Sequence, residues 1–150
     1  MLSPLVFRSY MNFERTYKEL CQLGIPKESY YLNGLLGSTS DNERLALTAR
    51  RGKYTIEYET YFKERGEKGS MRTFTNQDEA SNYFITELFN KLLSERISST
   101  DVSGATGNER LHLTGLIDLF DQLKRTNKTR ATQLVVALGF DKSSIEQLLK

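Results

Sequence analysis

The stretch from Tyr54 to Leu93 constrains this chain's fold more than any other, because its apolar spacing switches from that of a strand to that of a helix. Between Tyr54 and Phe62, alternate positions carry Tyr54, Ile56, Tyr58, Thr60 and Phe62, with Thr55, Glu57, Glu59 and Tyr61 between them. That alternation predicts a strand with one dry face and one wet face. A charged, Gly-containing turn beginning at Lys63-Glu64-Arg65-Gly66 leads to a second short run, Met71 to Phe74. Asn76 then offers a helix cap, with Glu79 three residues on as its capping-box partner. Behind it Ala80, Tyr83, Phe84, Ile85, Leu88, Phe89, Leu92 and Leu93 form a wide apolar stripe suited to covering a sheet.

Upstream, Met1 to Tyr10 shows no clear period, is too short and interrupted for a signal peptide, and reads either as a loose leader or as preceding a start at Met11. A helix is expected from Asn12, its inner stripe made by Phe13, Tyr17, Leu20 and Cys21, and Gly24 with Pro26 ending it. Cys21 reads as a core residue, since nothing around it suggests the electropositive, exposed setting of a reactive thiol. Tyr30 to Leu32 is a short strand stopped by Asn33-Gly34. Residues 37–42 are a loop by composition, and Arg44 to Arg50 alternates again with Leu45, Leu47 and Ala49 inward. Arg51-Gly52-Lys53 turns the chain into the long strand. The expected fold is therefore α+β: an antiparallel sheet of three or four strands covered by helices, followed by a helical C-terminal segment. In domain terms these are residues 1–96, a Ser-, Thr- and Gly-rich linker over 97–108, and a helical segment over 109–150. In that last segment Leu113 to Leu123 forms one helix, Thr129 to Leu138 a second, and Asp141 caps a third.

Charge and composition exclude more than they assign. Lys and Arg number 21 against 19 Asp and Glu, a formal charge of +2. The balance is fourteen cations to thirteen anions before Ile97 and seven to six from it onward, so neither part is polarised toward nucleic acid or a membrane. A single cysteine rules out an internal disulfide and a cysteine-based zinc site, which suits a reducing, cytoplasmic setting. His112, the only histidine, lies between Leu111 and Leu113 and reads as structural or superficial. Glu57 and Glu59 share a wet face with nothing to desolvate them, and no phosphate-cradling glycine motif is present. The chain reads as a non-enzyme that needs no cofactor and no metal. The polar face of the strands, with Arg44, Thr48, Arg50, Thr55, Glu57, Glu59, Tyr61 and Lys63, is a solvated surface with cross-strand ion pairs or a recognition surface. If it recognises a partner, Arg50, Glu57, Glu59, Tyr61 and Lys63 are the residues expected to do so. The alternative is a DNA-binding regulator: Leu134 to Phe140 with Ile145 and Leu148 are spaced as in a helix-turn-helix, with Lys124, Arg125, Lys128 and Arg130 upstream. Its second helix, with Asp141, Lys142, Ser143, Ser144, Glu146 and Gln147, offers little basic surface for phosphates.

One ordered set of short motifs goes further: Leu32-Asn33-Gly34, Glu43-Arg44-Leu45, an aromatic strand from Tyr54 to Tyr61 followed by Glu64-Arg65-Gly66, Phe74, Glu79-Ala80 and Tyr83-Phe84. In order and spacing this resembles small bacterial immunity proteins encoded beside polymorphic or contact-dependent growth inhibition toxins. The resemblance covers about residues 12–96, and Ile97 to Lys150 has no counterpart in it. It implies an antitoxin: a stoichiometric inhibitor whose partner is the C-terminal domain of a cognate toxin, commonly a nuclease.

Overall fold

The computed structural model describes residues 4–150, with side chains from Phe13 onward. Its first helix, α1, spans Pro4–Gln22, so Asn12 lies inside the helix and does not cap it. Proline is tolerated at a helix start because its missing N–H would have no intrahelical partner there. The expected leader is therefore helical from Pro4, while Met1 to Ser3 lie outside the described residues. The buried line along α1 is Phe13, Thr16, Leu20 and Leu23, and Cys21 is exposed rather than in the core. Thr16 explains the rotation of the stripe. Its hydroxyl donates to Ser81 Oγ at 2.9 Å, so a polar side chain can take an inward position that the apolar spacing alone assigned to others. Gly24, at φ 76°, closes the helix, with the Ile25 N–H reaching the Leu20 carbonyl at 3.1 Å.

Five strands follow: β1 (Tyr30–Leu32), β2 (Leu36–Gly37), β3 (Leu45–Arg51), β4 (Ile56–Glu64) and β5 (Glu67–Phe74). They form one sheet in the order β2-β1-β3-β4-β5. The sheet is mixed rather than wholly antiparallel, because β1 pairs parallel with β3, Leu32 lying opposite Leu47. The cause is local. Asn33, at φ 55°, turns the chain back into the two-residue β2 on the outer side of β1, and the loop after it must cross to the other side to begin β3. Asn33 also extends the parallel ladder, its N–H donating to the Leu47 carbonyl and its Oδ1 accepting from the Ala49 N–H. At the other side of the sheet, Arg65 and Gly66 have φ of 52° and 81°, and Glu64 faces Glu67. Positive φ at both central residues is what a two-residue hairpin turn of matching twist requires. Residues 67–70, expected to be turn, therefore belong to β5, with 67–69 paired to β4.

Helix α2 (Gln77–Ser98) starts where Asn76 Oδ1 accepts the Glu79 N–H at 3.0 Å. Its Ala80, Phe84, Ile85, Leu88, Phe89 and Leu93 are buried as the spacing predicts. Edge-to-face contacts tie both long helices to one face of the sheet: Phe13 of α1 meets Tyr58, and Phe84 of α2 meets Tyr30.

The chain divides into two compact units, the first ending at Phe89 and the second beginning at Asn90. The expected linker holds the break between α2 and the next helix. The second unit contains the end of α2 and four helices rather than three: α3 (Gly107–Leu113), α4 (Ile117–Thr126), α5 (Lys128–Ala137) and α6 (Lys142–Leu148). Gly115 makes the difference. At φ 70° it ends α3 with the Leu116 N–H donating to the Leu111 carbonyl, splitting the run expected from Leu113 to Leu123. Thr106, Asn127 and Asp141 cap α3, α5 and α6 through their side chains. Leu111, Leu116, Phe120, Leu123, Ala131, Leu134, Val135 and Leu138 are this unit's buried hydrophobic residues on those helices and their ends, with Thr114 and Arg130 buried among them.

Candidate functional site

The face of the sheet opposite Tyr58 and Tyr30 collects all five residues expected to bind a partner. Register does this: Thr48 pairs with Glu59, Arg50 with Glu57, Ala46 with Tyr61, and Lys63 with Lys68. Alternation along β3 and β4 then brings Arg50, Glu57, Glu59, Tyr61 and Lys63 to one surface. The surface is not uniformly wet, as the sequence led us to expect. Glu59 and Tyr61 are each only 3% exposed, and Ala46 beside them is fully buried.

Three neighbours take these residues out of water. Asp41, in the loop before β3, accepts the Tyr61 hydroxyl at 2.8 Å on Oδ2 and lies 3.3 Å from Lys63 Nζ through Oδ1. Lys68 of β5 places its ammonium 4.3 Å from the Tyr61 ring centroid and 3.4 Å from Glu59 Oε1. Arg50 closes the other side, 3.1 Å from Glu57 Oε2 and 3.4 Å from Glu59 Oε2. The result is a connected row of alternating charge, with a buried carboxylate and a buried phenol at its centre. Arg50 and Lys68 stay about half exposed, at 54% and 45% of their side-chain surface. Their charges are therefore both anchored and reachable.

The electrostatics follow from these contacts. The hydrogen bond from Tyr61 holds the Asp41 carboxyl below its usual range; desolvation opposes this, and Lys63 reinforces it. Burial, and then the same hydrogen bond seen from the other side, pushes the Tyr61 phenol above its usual value. Glu59 Oε2 has no hydrogen-bond partner among the described residues, only its ion pair with Arg50. The arrangement suits recognition by fixed charge.

Asp41, Lys68 and Tyr54 escaped the sequence. Asp41 sits in a Ser- and Asn-rich loop with no local pattern, and Lys68 lies where a turn was expected. Tyr54, expected to begin the strand, stands instead in the loop between β3 and β4 and is 89% exposed. The other unit holds a cleft of about 480 Å³ lined in part by Thr106, Asn108, Arg110, Asp141, Ser144 and Gln147. Arg110 acts there as a clamp, donating to the Ala105 and Leu138 carbonyls at 3.2 and 2.7 Å. His112 is exposed on α3. Among the described residues no three or more His, Cys, Asp or Glu side chains are grouped to hold a metal ion, and no helix is long and apolar enough to cross a membrane. Compared with protein-family profiles, with curated proteins and with solved structures, the chain finds no match.

Proposed function

We propose that this protein is a cytoplasmic immunity protein, a stoichiometric inhibitor that binds the C-terminal domain of a cognate bacterial toxin. One observation carries the proposal beyond the ordered motifs of residues 12–96. Arg50, Glu57, Lys63 and Lys68 surround a buried Glu59–Tyr61 pair and the half-buried Asp41 that accepts the Tyr61 hydroxyl, so charges of both signs are held in set positions on one sheet face. Side chains ordered before association lose less entropy on binding, and a fixed pattern of mixed charge favours one partner over others. Glu59 and Tyr61 serve this surface from beneath, by orienting Arg50 and Lys68. The partner is a protein domain, with a nuclease the class suggested by the resemblance. The adjacent upstream gene is the place to look for the toxin domain, and co-expression of such a domain with this chain should restore bacterial growth. Persistent toxicity with both proteins present at comparable levels counts against the proposal.

For the helix-turn-helix alternative, α5 and α6 form with Gly139 between them, but the basic surface it calls on is reduced. Arg130, one of its four basic residues, is 4% exposed and donates to Gln133 Oε1 at 2.8 Å.

A further inference from the structure

We infer that the tip of the β3–β4 hairpin, residues 50–55, is the element that enters the partner, and that it fits a concave protein site lined with carboxylates. The inference rests on the inhibitor proposal and goes beyond it by naming the contact and the chemistry of the surface that receives it. The tip carries Arg50, Arg51, Lys53 and Tyr54 and no acidic residue. Tyr54 is 89% exposed, while Tyr61, the aromatic that sequence alone put forward as the anchor, is sealed beneath Lys68. A tyrosine presented in this way can bury a large, rigid apolar area while its hydroxyl still finds a polar partner. Lys53 Nζ lies 5.3 Å from the Tyr54 ring centroid, so cation and ring would reach the same pocket together.

The base of the tip is stiff. The Gly52 N–H donates to the Thr55 carbonyl at 2.7 Å and closes the loop. The Glu57 carboxylate packs so closely beneath Gly52 that an added Cβ there would lie 2.7 Å from Oε1. Glu57 in turn holds Arg50. A stiff, protruding aromatic in a cationic collar fits a hollow that is acidic at its rim and apolar within. Nucleic acid fits less well. The sheet face beyond the tip alternates in charge, where a phosphate backbone needs a continuous basic track.

The test uses as its probe a candidate toxin C-terminal domain, sought in the gene adjacent to this one, titrated at low and high salt against the unmodified chain, Tyr54→Ala, Tyr54→Phe and the double variant Arg51→Glu, Lys53→Glu. These positions lie in or beside an exposed loop, and an unchanged melting midpoint confirms that each variant is folded. Tyr54→Ala should weaken binding by about 30-fold or more, and Tyr54→Phe should recover most of that loss. The charge reversal should weaken binding at least as much and remove its salt dependence. Binding by every variant within about threefold of the unmodified chain overturns the hairpin assignment and leaves the inhibitor proposal intact. No binding by the unmodified chain overturns both. Capture of a short single-stranded oligonucleotide by the unmodified chain, lost on charge reversal, overturns the choice of a protein partner.

Discussion

Single residues divide here into those that hold the fold and those that hold charge in place. Phe84 is fully buried edge-to-face against Tyr30, so Phe84→Ala should cost about 3–5 kcal/mol in urea unfolding. A loss below about 1 kcal/mol would place the ring outside the core. Tyr30 makes a sharper test, because its hydroxyl is buried with no hydrogen-bond partner among the described residues. Tyr30→Phe should leave stability unchanged or raise it, and a loss above about 1 kcal/mol would reveal a partner for that hydroxyl. Asp41 ties stability to pH. Its carboxyl is held below the ordinary value of 3.8, so its contribution is complete well above that value and is lost as pH falls through the lowered folded value. Asp41→Asn should therefore cost about 1–2 kcal/mol near neutral pH, with the difference closing in acid below the ordinary carboxylate range. A pH-independent difference would mean that the carboxylate's charge is not what matters. Of these residues, Phe84 was legible from helical spacing. Asp41 was not, since a loop carboxylate meets Tyr61 only through tertiary folding.

At the scale of elements, local chemistry that fixes backbone shape was readable, and pairing across distance was not. Asn76 before α2 and Asp141 before α6 cap as their sequence signatures indicate, and Gly24 and Gly139 end helices in the left-handed conformation. Gly115 has the same role, but the flanking Leu113, Leu116, Ile117 and Phe120 mimic one continuous helix and mask it. The parallel pairing of β1 with β3 also leaves no mark in the sequence, because alternation gives the faces of a strand and not its direction. The wet face misled for a related reason. Period two separates Glu59 and Tyr61 from the helix-covered side, yet a neighbouring strand and loop can still bury what alternation turns outward. Gly37, the last residue of β2, tests that edge of the sheet directly. It sits at φ 77°, and a Cβ there would lie 2.7 Å from the Tyr30 ring. Gly37→Ala should cost about 1–3 kcal/mol from the strained backbone, before any displacement of the ring is counted. An unchanged melting midpoint would show that this edge of the sheet contributes little to stability.

For the whole molecule, the sheet unit and the helical unit answer different questions. The motifs that resemble immunity proteins end near residue 96, and the charged face and hairpin tip both lie within the unit ending at Phe89. The helical unit has its own buried residues, and Arg130, once a candidate phosphate contact, is buried among them. The full chain should accordingly give no salt-sensitive shift of duplex DNA at micromolar concentration. Clear retention that weakens with salt would favour a regulator instead. The central claim is that one molecule of this protein occupies one toxin domain. Calorimetric titration of the purified candidate toxin domain with the full chain measures that most directly. One-to-one binding with a dissociation constant well below micromolar, and loss of toxin activity at the same molar ratio, is the predicted result. No association at micromolar concentration, or binding that leaves the toxin fully active, would contradict it.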